Sequence, residues 1–115
     1  MGNGVKYDAG KSRWELLPFD ALEVVAQILT QGAVKYGDRN WEQGIDFDRL
    51  LGATLRHLSA RAQGEVYDRE SKLNHLAHAA CETLFALALE LRATPPVVRY
   101  YPEVPGAYAA QQERA

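Results

Sequence analysis

The sequence lacks most of the features that would place it outside a reducing, aqueous setting. It holds a single cysteine, Cys81, so no disulfide can form within the chain, and that usage suits a reducing compartment. No apolar run approaches the ~20 residues of a membrane span. Residues 1–30 lack a basic start followed by an apolar stretch, so no signal peptide is expected. Charge of one sign is also scarce: 13 Lys+Arg stand against 15 Asp+Glu, a formal net charge of −2. That balance argues against a protein that coats a nucleic-acid polymer, but it leaves room for a nucleotide, which needs only a few placed cations. The 115 residues, 47% of them hydrophobic, suffice for one core. The expectation is a soluble, cytoplasmic, single-domain protein over 1–115 with no membrane partner.

Punctuation residues divide the chain. Residues 1–17 show no helical period and read as an irregular arm. From Pro18 to Tyr36, Leu22, Val25, Ile28 and Leu29 recur at helical spacing. Pro18 suits a first turn, Asp20 its positive end, and Gly37 a stop. Residues 37–46 read as a loop. Asp46 is a suitable N-cap for a second helix reaching about Gln63, with Gly64 as its stop and Leu51, Leu55, Leu58 and Ala62 as its core face. A third helix is expected to open at Asp68 or Ser71 and to reach about Arg92. Four of the five prolines fall in 95–105, so 93–115 should be an extended tail rather than a helix. The fold class is therefore all-α: three main helices within 18–92, an irregular arm and an extended Pro-rich tail, assembled as an oligomeric helical bundle.

The third helix carries the strongest chemical signal. At about 100° per residue, Leu73, Ala77, Ala80, Leu84, Leu87 and Leu91 share one arc, and His75, His78 and Glu82 line the opposite side. The remaining positions are mostly small or apolar, so the helix should be packed on more than one side, and a homo-oligomer is expected to cover it. In the second helix, Thr54, His57 and Arg61 lie opposite the leucine stripe. The loop between the two helices adds Glu65, Asp68 and Glu70. An antiparallel pair would bring His57, Glu65, Asp68, His75, His78 and Glu82 towards one groove. Imidazoles with carboxylates suit a divalent transition metal, and carboxylates with water suit Mg²⁺. Each histidine taken alone is equally at home as a hydrogen-bonding residue. Cys81 reads as a small core residue.

The arm and the first loop form a second cluster. Lys6, Lys11 and Arg13 are interleaved with Tyr7, Gly10 and Trp14, a composition suited to phosphate oxygens. Gly10-Lys11-Ser12 is not a phosphate loop of the Walker type, since Val5 stands where the first glycine is needed. Lys35, Tyr36, Asn40 and Trp41 supply a cation, two aromatic faces and an amide, the ingredients for stacking a base and reading its edge. Tyr36 and Trp41 would serve equally to close the core at the end of the first helix.

Taken together, Lys6-Tyr7-Asp8-x-Gly10-Lys11-x-Arg13, Leu16-Leu17-Pro18, Gly32-Ala33-x-Lys35-Tyr36-Gly37-x-x-Asn40-Trp41, Arg56-His57-Leu58, Gly64-Glu65, Asp68-x-Glu70-Ser71 and His75-Leu76-x-His78-Ala79 resemble the phage-type dATP/dGTP diphosphohydrolase domain, related to MazG-like all-α pyrophosphohydrolases. The resemblance covers about residues 6–91. It implies metal-dependent hydrolysis of a purine deoxynucleoside triphosphate to monophosphate and pyrophosphate, in a phage or prophage setting, by a dimer or tetramer. Where the MazG pattern carries Glu-x-x-Asp, this chain reads His75-Leu76-Ala77-His78.

The expected roles follow. Glu65, Asp68, His75, His78 and Glu82 surround Mg²⁺ or Mn²⁺, with His57, Glu65 and Asp68 catalytic. Lys6, Lys11, Arg13 and Lys35 meet phosphates, and Tyr36, Asn40 and Trp41 meet the base. The same pocket would serve a non-catalytic nucleotide sponge or sensor, and the same polar stripe would serve a helical interaction module.

Overall fold

The computed structural model describes residues 4, 5, 7 and 9–93. Lys6 and residues 94–115 of the expected extended tail lie outside the described residues, while Ala93, expected to begin that tail, ends the last helix. Residues up to Leu17 belong to one unit and Pro18–Pro95 to another. Within the first, the arm is less irregular than its sequence suggests. A turn at Gly10, with φ of 81°, precedes a 3-10 turn over Trp14–Leu16, held by Leu16 N–H on the Arg13 carbonyl and Leu17 N–H on the Trp14 carbonyl.

The second unit holds three helices: α1 (Phe19–Tyr36), α2 (Phe47–Ala62) and α3 (His75–Ala93). Among the described residues there is no β-strand, and no helix is long and apolar enough to cross a membrane. Pro18 precedes α1, and Asp20 in its first turn accepts a hydrogen bond from the Ala21 N–H at 2.8 Å. Gly37 ends α1 with φ of 92°, a conformation that costs glycine no Cβ clash. Asp46 flanks α2 as expected, but it works through its backbone carbonyl, and its side chain makes no capping bond. The end of α2 is a Schellman turn. Glu65 N–H bonds the Ala60 carbonyl and Gly64 N–H the Arg61 carbonyl, with Gly64 at φ of 100°.

The third helix begins later than its spacing predicts, at His75 rather than at Asp68 or Ser71. Asp68 does make a cap-like bond, accepting the Ser71 N–H at 2.8 Å, but the chain then reverses. Lys72 takes a left-handed φ of 68°, which no helix interior accommodates. Asp68 and Leu73 share a backbone bond at 2.8 Å, and His75 N–H reaches the Val66 carbonyl at 2.9 Å. Residues 66–75 therefore form a tight loop closed by a Tyr67–Asn74 bridge.

α3 is the central helix, packed on both α1 and α2. Val25, Ala77 and Cys81 form the buried cluster, with Val24, Ile28 and Phe85 against it. The small residues of α3 let its neighbours approach, and this sets which faces turn inward. The outcome reverses the expected rotation of α2. Leu50 is 3% exposed and His57 half-buried, whereas Leu55 is 54% exposed and Leu51, Leu58 and Ala62 are also outside. On α3, His75 is buried and His78 and Glu82 half-buried, while Ala80, Leu84, Leu87 and Leu91 of the expected core stripe are exposed. The polar line faces α2, and the leucine stripes face outward.

This rotation makes a stability prediction. Leu50→Ala should cost about 2–5 kcal/mol, the range for truncating a buried leucine, whereas Val34→Ala, at a position 89% exposed, should stay within about 0.5 kcal/mol. Chemical denaturation of both variants checks it, and equal costs would contradict the rotation.

Candidate functional site

Where α2 ends and α3 begins, His57 and His75 face each other with their Nδ1 atoms 2.8 Å apart. His75 is buried, and its Nε2 lies 3.2 Å from Glu65 Oε1. A carboxylate only accepts, so His75 donates from Nε2 to Glu65 and keeps the lone pair of Nδ1 directed at His57. The His57 Nδ1–H then donates to it. Glu65 owes its place to the Schellman turn, which brings the chain back over α3. Arg69 Nε lies 3.6 Å from the same Glu65 oxygen.

Asp68 stands on the other side of the imidazole pair. One donor atom from each of His57, Asp68 and His75 lies within 4.8 Å of the other two. Ser71 anchors this side in two ways: its N–H bonds Asp68 Oδ2 at 2.8 Å, and its hydroxyl lies 2.6 Å from His78 Nε2. His78 in turn stacks flat on His57, with centroids 4.6 Å apart and planes 7° from parallel. His78 and Glu65 thus touch members of the trio through their rings and hydrogen bonds. Glu82, one turn beyond His78, is half-buried on the same side of α3 and stands outside the trio.

The electrostatics match this arrangement. The Ser71 N–H holds the Asp68 carboxyl below its usual range, so Asp68 stays ionised. Burial pushes both His57 and His78 down, with neighbouring imidazoles adding to the effect, so both rings are neutral near pH 7. Burial raises Glu82, and the Arg56 charge opposes that rise. Burial pushes the Cys81 thiol up to about 12, which removes it as a nucleophile.

Two imidazoles and an ionised carboxylate are a donor set for a divalent cation. A cation about 2.1 Å from each ligand atom draws those atoms to roughly 3–4 Å of one another, a spacing the trio already approaches. His75 also carries the hydrogen-bonded carboxylate that orients metal-ligating histidines. The residues fit a cation on these grounds.

The remaining expected residues lie elsewhere. Lys35, near the end of α1, is 3.4 Å from Glu70 of the 66–75 loop, an exposed pair. Gln31 Nε2 donates to the Ser71 carbonyl at 3.3 Å, tying α1 to the same loop. Tyr36 is exposed, with Lys35 Nζ 5.2 Å from its ring centroid. Asn40 opens a 3-10 turn over Asn40–Gln43. Trp41 is stacked on Phe85 at 5.1 Å, and Arg92 lies 4.8 Å from its ring. Its contact on α3 is ten residues beyond His75, about 15 Å along the helix. Lys11 and Arg13 are exposed in the arm, where Arg13 pairs with Glu15 at 3.4 Å. Ser71 was missing from the expected site residues. In the sequence it stood in the Asp68-x-Glu70-Ser71 motif and as one of two expected starts of the third helix.

Residues 1–95 match the model of a family described as dATP/dGTP diphosphohydrolase, N-terminal. A protein of Salmonella phage PMBT28 named dATP/dGTP diphosphohydrolase is 38% identical over 104 residues, which cover 90% of this chain and 36% of that protein. The chain thus spans about a third of the relative's length. No solved structure matches it.

The neutral histidines set a pH dependence for the cation-free protein. His57 and His78 titrate below their ordinary value of 6.5 when folded. As pH falls through that value, the unfolded chain takes up protons first, so stability present above it is lost below it. The melting temperature in chelator should fall between about pH 7 and about pH 5, and His78→Asn should flatten the fall by removing one of the two groups. A flat wild-type profile would contradict burial of neutral rings.

Proposed function

We propose that this chain, which belongs to the dATP/dGTP diphosphohydrolase N-terminal family, hydrolyses purine deoxynucleoside triphosphates to the monophosphate and pyrophosphate. The observation that carries the reading is the convergence of His57, Asp68 and His75 within 4.8 Å. The name of the phage relative supports the substrate class. Its source supports a phage or prophage setting and action in the host cytoplasm.

His57, Asp68 and His75 would hold the cation, Mn²⁺ suiting two imidazoles better than Mg²⁺ does. Glu65 and His78 back the ligands, and Glu82 extends the polar line along α3. A divalent cation bound there neutralises phosphate charge and lowers the pKa of a bound water. The chain's own groups do the rest. Asp68 is held ionised by Ser71 and keeps its charge at the site. Glu65, whose second oxygen is not bound to His75, offers an acceptor for the proton of the attacking water. The oxygen of that water would join the α-phosphorus as the bond to pyrophosphate breaks, and His57 as a ligand would orient it. Lys35 at the mouth of the loop, with Lys6, Lys11 and Arg13 of the arm, would hold the remaining phosphate charge. Tyr36, Asn40 and Trp41 would receive the base. The acting form is a homo-oligomer, a dimer or tetramer, and the acidic balance of the chain suits a free nucleotide rather than a nucleic-acid polymer.

Incubation with each of the four dNTPs and Mn²⁺ or Mg²⁺, resolved by ion exchange, should yield dAMP or dGMP with equimolar pyrophosphate, and EDTA should abolish both. Asp68→Asn should remove the products, and Glu65→Gln should weaken metal affinity by roughly 10–100-fold, read by calorimetry with Mn²⁺. Stoichiometric nucleotide binding without monophosphate would replace hydrolysis with the sponge reading. No binding at all would discard both.

A further inference from the structure

The 66–75 loop carries a cation that the donor set does not use. Arg69 follows Asp68 directly, at the unspecified place of the Asp68-x-Glu70-Ser71 motif, so the resemblance assigns it no role. Its Nε lies 3.6 Å from Glu65 Oε1, the same oxygen that His75 Nε2 meets at 3.2 Å. One carboxylate oxygen thus joins the guanidinium to a member of the converging trio, and Asp68, another member, is its neighbour in the chain.

Stability does not account for this pair. The Arg69 side chain is 90% exposed, the contact is longer than a hydrogen bond, and so solvated an ion pair contributes little. Among the described residues Glu65 is the only ionic partner of Arg69, and no hydrogen bond holds its guanidinium. A planar guanidinium offers a fork of donors that matches two phosphate oxygens, which an ammonium does not. The other expected phosphate cations are placed differently. Lys35 is engaged by Glu70, and Lys11 and Arg13 belong to the unit that ends at Leu17.

We infer that Arg69 is a phosphate-binding residue of this site and takes the two phosphates that leave as pyrophosphate. The assignment rests on the hydrolytic reading for its chemistry. Water adds to the α-phosphorus through its oxygen and gives one proton to Glu65, and the electron pair of the broken P–O bond departs with pyrophosphate. Negative charge grows on that leaving group, so a cation beside it stabilises the transition state more than the bound substrate. Glu65 holds the guanidinium beside the trio through a contact loose enough to give way to phosphate oxygens.

Inorganic pyrophosphate is the probe, because it carries the leaving group without base, sugar or reaction. Calorimetry of pyrophosphate with the full chain in Mn²⁺ should show binding, and Arg69→Met should weaken it by roughly 10–100-fold, the loss of charge-assisted hydrogen bonds. Arg69→Lys should recover part of that loss, since the charge returns without the fork. Affinity for Mn²⁺ alone should be unchanged in both variants. With substrates, kcat/KM should fall by one common factor for all four dNTPs, because they share the phosphates. Circular dichroism checks the fold, and Arg69→Gln carries the same measurement should Arg69→Met fail to fold. Pyrophosphate that does not bind the wild type, or binds Arg69→Met as tightly, would overturn the inference. So would an equal loss of affinity for Mn²⁺ alone, which would make Arg69 a support for Glu65. Binding that depends on Arg69 in a protein releasing no monophosphate would keep the inference and remove hydrolysis. Monophosphate release by Arg69→Met at the wild-type rate would do the reverse.

Discussion

A buried imidazole needs partners on both ring nitrogens, and His75 is 5% exposed. Its Nε2 takes Glu65 and its Nδ1 takes His57, each within 3.2 Å. Leaving either unmet in a dehydrated seam would cost about 1–3 kcal/mol. Both partners come from the α2 side of the molecule, so α2 must turn His57 inward and end in a reversal that returns Glu65 over α3. Much else is a consequence. With His57 inward, Leu50 and Thr54 share its face, and Leu51, Leu55 and Leu58 are left outside.

The same constraint governs the chemistry. The reversal that delivers Glu65 also starts the 66–75 loop, where Lys72 accepts a left-handed φ of 68°. Strain of that kind persists only where surrounding bonds over-determine it. Here they do: Asp68 caps Ser71, Ser71 meets His78, and the Asp68 and Lys72 backbones are bonded across the turn. Asp68 is thereby held ionised beside two imidazoles that burial keeps neutral. Carboxylate charge beside imidazole lone pairs in one small volume is an environment that would suit a divalent cation. On the proposed function the chemistry would rest on a histidine-rich centre, with Glu65 and His78 behind the three converging donors.

The apolar surface is the other side of this balance. α3 offers nearly its whole circumference to apolar neighbours, but its small residues, Ala77, Ala79 and Cys81, are the ones used inside the chain. Small residues permit close approach of α1 and α2, while the bulky leucines would hold neighbours apart. Packing density therefore favours the alanine and histidine faces inward and sends the leucines outward.

Local signals were sufficient for the existence and type of the three helices and for the approximate ends of α1 and α2. Periodicity, Pro18, Gly37, Asp46 and Gly64 all act within one or two turns of where they stand. The family resemblance, carried by short motifs from the arm to His78, was legible for the same reason. Sequence position also placed His57, Asp68 and His75 among the candidate ligands, because histidines opposite leucine stripes on adjacent helices share a seam if those helices pair. It did not decide which face was the core. A hydrophobic arc reads as interior only while nothing else competes for the seam, and hydrogen bonds between distant residues such as Glu65 and His75 are invisible to periodicity. The start of α3, expected at Asp68 or Ser71, was misjudged on similar grounds, since the Ser71 N–H bond to Asp68 forms alike in a helix cap and in a tight turn. Only the pairing of Val66 with His75 selects the turn, because that bond ties the reversal after α2 to the first residue of α3.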